Sequence, residues 1–227
     1  MPRSLATRAL LLLALGCAQA SANFFTQVDT FDAGDNFNWG VANQSFTIET
    51  DGGPQGAGDG YFAYSSNGFS GPNSRMIIPN EVSGSQWSGD YLTAGLNGFT
   101  VDVLNPGATP LNLRLAIADT ATWYVSSDPV TVPAGAGWLS VAFMISQDAM
   151  TRVGNGADDF ATVAANVSRV RLLSSDALPT VSFGGNGGAQ GDAIAASIGF
   201  DNFRAVPEPA ALLLLATALL AAAPRRA

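Results

Sequence analysis

The chain has 227 residues, and its ten basic residues are all arginine; histidine and lysine are absent. Without histidine there is no Ser-His-Asp or Cys-His nucleophilic machinery, no H-E-x-x-H zinc site and no histidine general base. Residues 23–205 set six arginines against seventeen Asp and Glu, a formal charge near −11, so nucleic acid finds no basic footprint to neutralise its phosphates.

The first element is a targeting segment. Met1, Arg3 and Arg8 precede "ALLLLALGCAQASA", a Leu-rich run ending in small residues. This reads as a secretory signal peptide over 1–22, with Ala20 and Ala22 framing a cut before Asn23. The one cysteine, Cys17, falls inside it, so the mature chain is expected to hold no disulfide and no thiolate metal site. The 183 residues from 23 to 205 are enough for one domain with a sizeable core.

Along that domain, short alternating runs are broken by Gly, Pro, Asn and Ser, as in an all-β chain. The pattern predicts strands at Val28–Phe31, Ser45–Thr50, Tyr61–Ser65, Gly98–Asn105, Leu111–Asp119, Trp123–Ser126, Leu139–Ile145, Val167–Leu173 and Ile198–Arg204. Phe99, Val101 and Val103 share one face, as do Leu111, Leu113, Leu115 and Ile117. The Asn105-Pro106-Gly107 turn between these two runs predicts a hairpin-like pair. Arg169 and Arg171 alternate with Val170 and Leu172, as on a sheet with one wet face. Asp158 to Ala165 has room for one turn of helix. Two sheets packed face to face is the expected architecture.

The last element, 206–227, reads "VPEPAALLLLATALLAAAPRRA". Its apolar run, Ala210 to Ala223, is 14 residues, which as a helix covers roughly 21 Å against a hydrocarbon core of about 30 Å. That length makes a permanent span marginal, and a buried helix is poor because the run is apolar on every face and Arg225 and Arg226 end it as a positive-inside stop would. Val206, Pro207, Glu208 and Pro209, then a short Ala/Leu helix, then Arg225-Arg226 resemble the PEP-CTERM sorting signal. That resemblance implies an exosortase-type membrane processing enzyme as partner. It also implies transient inner-membrane association through the C-terminal helix, and delivery to the cell surface or exopolysaccharide matrix of a Gram-negative bacterium.

"QVDTFDAGDNFNWG", "VTVPAGAGWLSVAFMIS" and "IGFDNFRAV" resemble carbohydrate-binding jelly rolls of the galactose-binding-like kind. The resemblance implies a β-sandwich with an edge strand, a Pro-Ala-Gly-x-Gly-Trp turn and a last strand carrying Asp-Asn.

The remaining chemistry belongs to carboxylates and aromatics. Asp29, Asp32, Asp35, Asn36 and Asn38 crowd near the first strand, and Asp201 and Asn202 lie on the last. If those strands pair, Asp29, Asp32 and Asp201 become candidate ligands for a structural calcium ion, which favours oxygen donors; Asx-turns are the competing reading. Trp39, Tyr61, Tyr64, Trp87, Tyr91, Trp123 and Tyr124 are candidate sugar-stacking residues, foremost Trp87, in a Gly/Ser loop, and Trp123 or Tyr124, one of which must face outward; Trp138 reads as a core plug. The two glutamates of the domain, Glu49 and Glu81, form no E-x-D-x-x-E pattern, so a carboxylate-dependent glycoside hydrolase is the third reading. The first is a non-enzymatic, structural or adhesive surface protein of the biofilm matrix. The second is a calcium-supported carbohydrate-binding module that takes extracellular polysaccharide.

Overall fold

The computed structural model describes residues 24–41, 44–69, 71, 74–180 and 188–208. The signal-cleavage residues Ala20, Ala22 and Asn23, and the tail from Pro209 through Arg225 and Arg226, lie outside them. Among the described residues no helix is long and apolar enough to cross a membrane.

Among the described residues, after a helical stretch at 24–26, twelve strands and two short helices form a sandwich: β1 (Val28–Asp29), β2 (Phe46–Glu49), β3 (Tyr61–Asn67), β4 (Ile77–Asn80), α1 (Tyr91–Ala94), β5 (Leu96–Leu104), β6 (Leu111–Ala118), β7 (Trp123–Ser126), β8 (Val130–Val132), β9 (Leu139–Met144), β10 (Met150–Val153), α2 (Phe160–Ala164), β11 (Arg169–Ser174) and β12 (Ala195–Pro207). One sheet runs β2-β3-β12-β5-β9, with β1 also on β12; the other runs β10-β7-β6-β11-β4, with β8 on β6. Every pairing is antiparallel.

The predicted alternation holds where it was clearest. Phe99, Val101 and Val103 of β5 meet Leu111, Leu113, Leu115 and Ile117 of β6 in one buried core. They meet as opposing faces, not as a hairpin. β5 pairs with β12 and β9, whereas β6 pairs with β7, β8 and β11. The Asn105 turn is therefore an arch between sheets. Asn105 is buried, and its Nδ2 donates to the carbonyls of Thr109, Val132 and Pro133 at 2.9, 3.3 and 3.0 Å. A buried amide that pins two other segments directs the chain away from its own strand.

Three strands have no clear sequence signal. All four residues of β4 are buried, so it shows no alternation, and Pro79 is tolerated because β4 ends its sheet. β8 and β10 are three and four residues long. The helices start on Asp90 and Asp159, whose carboxylates accept from the amides of Thr93 and Thr162 at 2.9 and 2.8 Å. α1 ends at Gly95, which adopts the left-handed φ of 68° that glycine tolerates.

Arg169 and Arg171 do point to the outer face of the second sheet, but not into open water. Their guanidinium carbons lie 4.9 and 4.4 Å from the Trp123 ring centroid, and Arg171 pairs with Glu81. Ala116 and Ala118 lie beneath, small enough to let the indole and guanidinium planes cross the sheet.

Candidate functional site

The eight tryptophans and tyrosines separate cleanly by exposure. Trp39, Trp87, Trp123, Tyr64, Tyr91 and Tyr124 are buried. Tyr61 and Trp138 are only partly covered, and they touch edge to face with ring centroids 5.3 Å apart. Trp87 is thus not exposed on its Gly/Ser loop; it is wholly enclosed against Phe99 and Phe203. Trp123 faces outward and Tyr124 inward, as alternation requires, yet the arginines cover the first and Phe160 meets the second. Trp138, read as a core plug, lies instead at the surface, its Nε1 donating to the Gly52 carbonyl at 2.9 Å.

The register places this aromatic corner on the outer face of the first sheet. Glu49 lies opposite Tyr61, Asp201 opposite Asp102, and Asp102 opposite Ser140. The β3–β12 pairing ends at Phe62 and Phe200, so Tyr61 and Asp201 are the next residues on each strand. A single row therefore crosses the sheet: Glu49, Tyr61, Asp201, Asp102, Ser140. Gly199 makes room beside it, since a Cβ there would stand 3.0 Å from two Tyr61 ring carbons. Neutral hydroxyl and amide groups (Thr47, Ser65, Ser197, Asn202) share that face.

Within the row, Asp201 is the anomaly. It faces outward beside core-facing Phe200, yet it has no exposed surface, and neither carboxylate oxygen has a hydrogen-bond partner. Burial, with repulsion from Asp59, Asp32 and Asp102, pushes its carboxyl up to about 7. The Asn202 amide pulls the other way without reaching hydrogen-bond geometry. Each neighbour already uses one oxygen. Asp59 Oδ2 accepts from the Gln55 amide at 2.6 Å, Asp32 Oδ1 from the Gly60 amide at 2.8 Å, and Asp102 Oδ2 from Asn202 Nδ2 at 2.9 Å. A shared proton or a hard cation would relieve such an arrangement. Among the described residues no three acidic side chains converge tightly enough to form a ready-made metal cluster. An ion here would need backbone oxygens and small movements to complete its shell.

Asp29 does not belong to that set. Its partner across β1 and β12 is Phe203, a core residue, so its side chain enters the core on the face opposite Asp201. A bulge separates the two: three steps along β12 from Asp201 to Arg204 match two along β5 from Asp102 to Thr100. Asn202 takes the left-handed φ of 54° at that point. The extra residue re-phases the strand, turning Asp201 outward and Phe203 inward. Sequence reasoning counted Asp29 and Asp201 together because it could not see this slip.

No family model matches the chain, and no curated protein matches it. Solved structures share its fold. An exo-beta-agarase is 12% identical with a TM-score of 0.53, over 80% of this chain and 25% of the agarase. The family 11 carbohydrate-binding module from Clostridium thermocellum, in complex with a beta-1,3-1,4-mixed-linked tetrasaccharide, is 12% identical with a TM-score of 0.47, over 80% of this chain and 96% of the module. The C-terminal family 22 carbohydrate-binding module of a Clostridium thermocellum xylanase is 12% identical with a TM-score of 0.42, over 83% of this chain and 97% of the module. The chain spans a quarter of the agarase's length. The fold class is a two-sheet antiparallel β-sandwich, and the likeness to the agarase is one of fold alone.

Proposed function

We propose that this is an exported, non-enzymatic protein of the cell surface or exopolysaccharide matrix whose sandwich holds polysaccharide at the Tyr61–Trp138 corner. One observation carries the binding reading: the two partly exposed members of the Trp and Tyr set are in contact. Sugar rings stack their C–H faces on such aromatic surfaces, while nearby carboxylates and carbonyls accept from their hydroxyls. Glu49 and Ser140 lie in the same row for that purpose. A calcium ion beside Asp201, with Asp32, Asp59 and Asp102, supports the site, because a divalent cation answers the two unpartnered oxygens. Catalysis is not part of the reading: Asp201, the residue on which the carboxylates centre, has no exposed surface to offer a glycosidic bond. Export and sorting rest on the signal-peptide pattern and on the Val206–Pro209 motif with its Arg225-Arg226 end.

The test is retardation of the secreted protein in gels containing matrix polysaccharide. Trp138→Ala should abolish the retardation and leave the urea midpoint nearly unchanged. Equal mobility of parent and variant on every matrix glycan would remove the binding reading. For the sorting reading, mass analysis of the exported chain should find neither terminal segment.

A further inference from the structure

The sorting motif begins inside the folded sheet. β12 runs through Pro207, two residues beyond the boundary at 205 that composition suggests. Val206 lies opposite Gly98 and Pro207 opposite Leu96, and the Glu208 amide donates to the Gly95 carbonyl at 2.8 Å. Gly95 is itself the left-handed cap of α1, so that carbonyl has a fixed direction. Between Glu208 and the apolar run at Ala210 the sequence places only Pro209, with no Gly/Ser stretch. On the other side of β12, β1 stops at Val28 opposite Arg204, so among the described residues only β5 pairs with Val206 and Pro207.

We infer that the sandwich masks its own sorting signal: an enzyme that reads Val206–Pro209 must first unzip the end of β12 from β5. The inference rests on the sorting reading above. A membrane enzyme gripping an extended segment needs that segment's backbone groups, and here the Glu208 amide is already committed to Gly95. The end of a strand held on one side opens at low cost, so the mask delays recognition and does not forbid it. A folded domain is then released slowly. A chain whose β5 or β12 has not yet docked exposes the motif at once.

Two measurements test this. In the purified full chain, the Glu208 amide should exchange its hydrogen roughly tenfold or more slowly than an unstructured amide. Exchange at the unstructured rate overturns the mask, whatever becomes of the tail. In a bacterium with an exosortase, the parent is compared with a chain carrying a Gly/Ser spacer of about eight residues and a second Val-Pro-Glu-Pro after Pro209. That insertion leaves β12 whole. Tail loss several-fold faster than in the parent supports masking; an equal rate in two processed chains overturns masking alone. If neither chain loses its tail, the sorting reading falls and masking with it.

Discussion

Trp39 and Trp87 share one acceptor: both indole N–H groups donate to Asp29 Oδ2, at 2.8 and 2.6 Å, inside the core. Gln86 Nε2 reaches the same oxygen at 3.0 Å, and Gln27 Nε2 donates to Oδ1 at 2.8 Å. A buried carboxylate thus ties the first strand to the 85–88 turn and satisfies two of the largest side chains of the core.

Asp29→Ala should therefore destabilise the fold by on the order of 3 kcal/mol or more, since it strands two buried indole donors. Urea denaturation measures this. A loss below about 1 kcal/mol would mean the indoles find other acceptors.

Burial raises the Asp29 carboxyl above its ordinary value, and the indole and amide donors oppose that rise without cancelling it. The native state then holds this proton more tightly than the unfolded chain. The group's contribution is full below its unfolded pKa of about 3.9 and is lost as pH rises through the folded value. The stability advantage of the parent over Asp29→Asn should shrink as pH rises above the ordinary carboxylate value of about 3.9. An advantage that grows with pH would show that the four donors hold the carboxylate ionised.

Calcium should raise the melting temperature, by several degrees at about 100-fold over its Kd. Asp201→Asn should abolish that response and melt higher than the ion-free parent, because it removes a charge confronted by Asp32, Asp59 and Asp102. A calcium response that survives the substitution places the ion elsewhere.

Gly199→Ala should push the Tyr61 ring off its seat, since the new methyl would meet two ring carbons at 3.0 Å. Polysaccharide retardation should weaken several-fold, with a stability cost of about 1 kcal/mol. Unchanged retardation would show that the ring position does not matter to binding.

Trp123→Ala is expected to behave differently. It removes the ring under Arg169 and Arg171 and should cost about 3–5 kcal/mol, as for a buried aromatic, without altering retardation of the protein that remains folded. Loss of retardation at full stability would instead return Trp123 to the ligand site.

The amino-acid order determined what depends on near neighbours. The alternation in β5 and β6 assigned Phe99, Val101, Val103, Leu111, Leu113, Leu115 and Ile117 to the core correctly, because side-chain direction along a strand follows from backbone geometry alone. Missing histidine and lysine removed whole classes of chemistry before any folding was considered. The calcium reading was conditional on the first and last strands pairing, and β1 does lie on β12. What tertiary contact decided was which face each residue took once strands met. The Asn202 bulge sent Asp29 and Asp201 to opposite sides, the Asn105 arch separated β5 from β6, and packing enclosed Trp87 while leaving Trp138 partly open. Burial of an aromatic or a carboxylate is set by residues far away in the chain, and local pattern carries no record of that distance.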